Sequence, residues 1–101
     1  MLTIDELIKG VVYSGRTVST AKEVFTFVHD HVKNDKIYDS GFLDWENNYI
    51  DSPTNVTVTY EYLKELRYAT TQEIDAIAQH THVDLTIQPH YQQTNNHYSI
   101  F

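Results

Sequence analysis

No cysteine occurs anywhere in this chain. Whatever fold it takes must be held by one hydrophobic core, without a disulfide or a thiolate-bound zinc to staple it. At 101 residues, 41% of them hydrophobic, the chain can meet that demand. A chain of this size buries roughly 60–70% of its unfolded surface and reaches about 5–15 kcal/mol of net stability. The length suits a single domain over residues 1–101. The missing thiols also remove Cys nucleophiles and fit a reducing compartment. No apolar run approaches the roughly 20 residues of a membrane span. The opening MLTIDELIKG has neither the basic nor the apolar region of a signal peptide. A soluble, cytoplasmic protein is the expectation.

Three Ser/Thr-x-x-Glu capping boxes punctuate the chain, at Thr3/Glu6, Thr20/Glu23 and Thr70/Glu73. In each, the first hydroxyl can take an orphan backbone N–H and the Glu can reach back, which marks a helix start. The first predicts a short helix stopped at Gly10, followed by a brief strand at Val11-Val12-Tyr13. The second predicts the longest helix, from about 20 to 34, because Ala21, Val24, Phe25, Val28 and Val32 recur at three and four. Residues 35–53, with Gly41, Asn47 and Asn48, read as a long acidic loop or an irregular hairpin. Asn55-Val56-Thr57-Val58 alternates as a strand. Tyr60 to Tyr68 carries the strong helix formers Leu-Lys-Glu-Leu-Arg. The third box opens a helix over 71–80, and Val83, Leu85 and Ile87 alternate in a last half-buried strand. The class is α+β: a small domain of about four short helices with a small antiparallel sheet. Helices 60–68 and 71–80 with the strand after them also admit a winged-helix-like arrangement. The closing Ile100 and Phe101 are expected to pack against something.

Charge narrows the function. The formal net charge is −7, and 35–51 holds Asp35, Asp39, Asp44, Glu46 and Asp51 against the single base Lys36. After Arg67 there is no Lys or Arg. Phosphate contacts supply most nucleic-acid affinity and require cations, so direct nucleic-acid binding is not expected. The helix that would enter a DNA groove offers Gln72, Glu73, Asp75 and Gln79 instead. A basic protein surface suits this chain better.

The histidines are the other chemical feature. His29 and His31 lie two apart on the predicted helix, about 200° around it, so they cannot face one ion. His80 and His82, with His90 or Asp84, are the weak candidates for a metal site, since H-x-H on a strand puts both rings on one side. Without that site no cofactor is expected. No phosphate-cradling glycine pattern, H-E-x-x-H, G-x-S-x-G or EF-hand spacing is present, so no catalytic residue is assigned and a non-enzyme is expected.

Aromatic residues supply the remaining signal: eight Tyr, four Phe and one Trp, several beside acids. Trp and Tyr combine large contact area with a polar handle and dominate interface energetics. Asp39, Phe42, Asp44, Trp45, Glu46, Tyr49 and Asp51 are therefore the candidate partner contacts. Phe27, about 120° from its stripe's centre, is an eighth. The function expected is a protein-binding module, most concretely an inhibitor that occupies a basic nucleic-acid-binding surface on a host or defence nuclease. Small phage or plasmid proteins that block restriction or CRISPR nucleases, the anti-CRISPR kind, share this size and charge. The alternatives are a metal-dependent enzyme or metal- or pH-responsive switch at the C-terminal histidines, and a self-associating structural protein such as a homodimer.

Overall fold

Val11, Val12 and Tyr13 are consecutive, apolar and all buried. A strand satisfies that pattern only when both of its faces are covered. The structure, a computed structural model, describes residues 1–16, 23–51 and 53–89 and places these residues inside an antiparallel sheet. Its strands are β1 (Val12–Gly15), β2 (Phe25–Lys33), β3 (Lys36–Leu43), β4 (Tyr49–Ile50), β5 (Asn55–Thr57) and β6 (Arg67–Tyr68). The order is β4-β3-β2-β1-β6, with β5 pairing the other end of β3. Among the described residues, two α-helices, α1 (Tyr60–Glu65) and α2 (Thr71–Ala78), accompany them.

The two faces carry two clusters. Val11, Tyr13, Phe27 and Ile37 pack with Tyr62 and Leu66 from α1 and its exit. Val12, Val28 and Leu43 pack with Ile74 and Ile77 of α2 on the other. Cross-strand register enforces the split, since Tyr13 faces Phe27 and Val12 faces Val28. The fully buried Tyr13 ring lies 6.0 Å from Phe27 and 5.4 Å from Tyr68. Its hydroxyl accepts a hydrogen bond from the Ile8 N–H at 3.0 Å, so its polar end is not stranded.

The expectation of four helices around a small sheet is overturned: the sheet dominates, and only the coarse α+β description stands. The largest correction is the helix over 20–34. Residues 25–33 are strand β2, while Thr20 and Ala21 lie outside the described residues. Asn34 and Asp35 both take positive φ, 52° and 60°, between the paired Lys33 and Lys36. That is the two-residue hairpin turn whose twist matches the strands, and Asn and Asp tolerate it. Two register shifts interrupt the pairing of β2 with β3. β3 takes an extra residue between the pairs Phe27–Phe42 and His29–Asp39, and β2 takes one back before His31–Tyr38. Phe27 and His29 face the Tyr13 side and Val28 the other, and because both sides are covered all three are buried, so no polar residue marks the two-residue alternation in the sequence.

The smaller corrections share a cause. The Thr3/Glu6 box forms, but it caps a single 3-10 turn, Ile4–Glu6, before the chain extends. Helix 60–68 ends at Glu65 because Arg67 and Tyr68 are needed to pair with Ser14 and Tyr13. A strand rather than a turn therefore separates α1 from α2, which removes the winged-helix-like arrangement. The Thr70/Glu73 box opens α2 as the pattern indicates. Val83, Leu85 and Ile87 form no strand; Val83 and Leu85 pack on the α2 face, and Gln88 is buried in the sheet. The Gln88 Oε1 accepts from the Val12 N–H at 2.8 Å, and its Nε2 donates to the Gly10 carbonyl at 2.6 Å. One side-chain amide thus stands in for a peptide unit of a neighbouring strand. Ile100, Phe101 and the rest of 90–101 lie outside the described residues.

His29 makes the fold sensitive to acid. It is buried edge-on to Tyr13 at 6.2 Å, and its Nδ1 has no hydrogen-bond partner. Desolvation lowers its pKa below the ordinary 6.5, and nearby Asp30 does not restore it. The unfolded chain therefore binds this proton more readily. His29-dependent stability is intact above pH 6.5 and falls as pH drops from there toward the folded-state value. The buried Asp39, whose pKa desolvation raises, acts with the opposite sign from its ordinary 3.8 upward. A His29→Phe variant retains that second term. Urea midpoints of the two proteins, taken from neutral pH downward, should show wild type losing stability relative to the variant below pH 6.5. Parallel profiles would refute the assignment.

Candidate functional site

The end of the sheet where β3 passes to β4 gathers most of the candidate residues. Asp44 builds the connection. Its Oδ1 accepts from the N–H groups of Glu46 and Asn48, both at 2.8 Å, and its Oδ2 accepts from Asn48 Nδ2 at 3.2 Å. Asn47 sits at φ 66°, a conformation Asn tolerates. Desolvation tends to raise the Asp44 pKa, but the donors from Asn48 and Glu46 outweigh it and hold the carboxyl below its ordinary range. Asp44 is thus first of all a turn former.

This turn presents Trp45 at 48% exposure. Its ring meets Phe25 edge-on at 5.4 Å, and Phe25 packs on Phe42 at 5.0 Å. Trp45 forms one lip of a groove of about 400 Å³, with Asp44 and Asn47 beside it and Gln72, Glu73 and Ala76 of α2 opposite. Glu73 is already committed. Desolvation pushes its carboxyl up, yet the Arg67 guanidinium (2.8 and 3.0 Å), the Thr70 N–H (2.9 Å) and the Ser14 hydroxyl (2.9 Å) hold it at about 2.

Further along, Tyr49 stacks on His80 at 5.2 Å, and its hydroxyl donates to Asp51 at 3.4 Å. The same hydroxyl lies over Gly41, where a Cβ would overlap it. Glu46, Ile50 and Asp51 are exposed around this face. Among the described residues no Lys or Arg forms an ion pair with Glu46 or Asp51. The arrangement offers an aromatic anchor with uncompensated negative charge beside it.

The other candidates sit differently. Phe42 is half-buried behind Phe25, while Phe27 and Asp39 are 3% and 5% exposed in the core and take no part in the outer face. Phe27 is inward because it belongs to a strand and pairs with Phe42, not to a helix edge. His80 and His82 are exposed, and His90 lies outside the described residues. Among the described residues, no three His, Cys, Asp or Glu side chains converge to hold a metal ion. Sequence reasoning missed Phe25, Asn47, Gln72 and Ala76 as walls of the face. The signal for Phe25 was present in Asn34-Asp35, since a hairpin there makes β2 a strand and brings its start beside Trp45.

Among the described residues no helix is long and apolar enough to cross a membrane. Comparison with protein-family models, with curated proteins and with solved structures found no match.

Proposed function

We propose that this chain is a protein-binding module that sets the acidic, aromatic face of residues 44–51 against a basic surface of its partner. The observation that carries the reading is Trp45, half-exposed at the lip of a groove where, among the described residues, no cation is paired to Glu46 or Asp51 beside it. A large ring that a partner can desolvate supplies affinity. The surrounding carboxylates, within a chain of −7, steer the encounter and reject polyanions. The class of partner this suits is a protein whose cations serve to hold nucleic acid, such as a host or defence nuclease in the cytoplasm. Covering those cations inhibits it, and the module then needs neither catalytic group nor cofactor.

The test is capture from host lysate at low and high salt, alongside a Glu46→Lys/Asp51→Lys variant. Asp44 is left alone because its carboxylate builds the turn. One stoichiometric basic partner, released at high salt and bound at least about tenfold more weakly by the variant, is expected. Capture that ignores both salt and charge reversal would contradict the reading, as would none at any salt.

A further inference from the structure

A second cleft opens on the opposite face of the sheet from the Trp45 groove, between β2, β3, β5 and α1. Its volume is about 30 Å³, room for roughly one or two waters. Four aromatic residues line it: Phe25, Phe27, Phe42 and Tyr62. Its one carboxylate is Asp39, 5% exposed. Asp39 Oδ1 accepts from the N–H groups of Gly41 (3.2 Å) and Thr54 (3.4 Å), and Oδ2 accepts from the Thr54 hydroxyl. A carboxylate accepts about four hydrogen bonds, so one position on Oδ2 is left over. Among the described residues no Lys, Arg or His forms an ion pair with it.

A buried carboxyl oxygen, aromatic residues around it and, among the described residues, no paired cation together describe an ammonium site. Ring faces attract a cation electrostatically, and a carboxylate takes its N–H. We infer that this cleft receives the ε-ammonium of a lysine side chain carried by the basic partner, an inference that rests on the function proposed above. The cleft's size selects lysine over arginine: an ammonium is a compact point charge with three rotatable donors, whereas a guanidinium is a broad planar fork. A lysine's apolar stem would run along Phe25, whose ring also touches Trp45 and so links this cleft to the residues of the other face. Burial raises the Asp39 carboxyl above its ordinary range in spite of its Thr54 and Gly41 donors, and an incoming cation relieves that penalty.

The experiment titrates the isolated protein with n-butylammonium, a lysine side-chain mimic, and in parallel with n-butylguanidinium. It follows the Gly41 and Thr54 amides, which donate to Asp39, by NMR. Saturable shifts with butylammonium are expected, at least about tenfold weaker with butylguanidinium and abolished by Asp39→Asn. Should Asp39→Asn fail to fold, Phe25→Leu, which removes one wall and leaves the Asp39 hydrogen bonds intact, should weaken the same shifts. Shifts that never saturate, or that survive Asp39→Asn, overturn the ammonium site while leaving salt-sensitive partner capture as a separate result. In that capture assay Asp39→Asn should bind at least about tenfold more weakly. Butylammonium binding with undiminished capture overturns the partner's lysine as the source.

Discussion

Replacing Gln88 with Leu should lower the stability of this protein by about 2–4 kcal/mol, although Gln88 lies in no helix or strand. Leu fills similar space but makes neither bond. The buried Val12 N–H and the part-buried Gly10 carbonyl lose partners at 2.8 and 2.6 Å, and a group left unpaired away from water costs about 1–3 kcal/mol. Val12 cannot recover by pairing elsewhere, because β6 reaches only Tyr13 and Ser14 with its own pairs. Val83 and Leu85, which pack on the α2 face a few residues before Gln88, should loosen with it. Chemical denaturation of the two proteins checks this. A midpoint unchanged by the substitution would mean that the amide is not the clamp described.

Trp45→Ala should produce the second large effect, on binding rather than folding. A central, half-exposed tryptophan that becomes desolvated in a complex is worth about 2–4 kcal/mol on truncation, roughly 30-fold or more in affinity. Stability should fall less, since Trp45 remains 48% exposed in the free protein and its ring packs on the half-buried Phe25. Calorimetric titration of the captured partner with both proteins, beside their thermal unfolding, separates the two effects. Equal losses in both would make Trp45 a structural residue under a loop.

Why some of this was legible in the sequence and some was not comes down to particular residues. Val11-Val12-Tyr13 gave its strand correctly, because an unbroken apolar run beside Gly10 leaves a short chain few choices. The Thr70/Glu73 box gave α2, because its two bonds are local. The stretch 25–33 misled because Val24, Phe25, Val28 and Val32 satisfy helical spacing by coincidence, while burial of Phe27 on one sheet face and Val28 on the other erases the polar–apolar alternation of a half-buried strand. Its β-branched and aromatic content and the Asn34-Asp35 pair were the better guides. Gln88 could not have been found, since its partners are 76 and 78 residues away in the chain. At the face, composition identified Trp45, Glu46 and Asp51 as surface chemistry. It could not tell that Asp44 is consumed by its own turn, nor that Asp39 points inward, because both outcomes depend on pairing that only the folded sheet supplies.

Trp45 is the only tryptophan in the chain, so its fluorescence reports on the face directly. Titrating the protein with its captured partner, under excitation selective for tryptophan and with a tryptophan-free form or subdomain of the partner, tests the central claim most directly. The account predicts a saturable blue shift as Trp45 leaves water, with a midpoint that weakens steeply as salt is raised. Binding that leaves the emission unchanged, or a shift indifferent to salt, would place the interface elsewhere and contradict it.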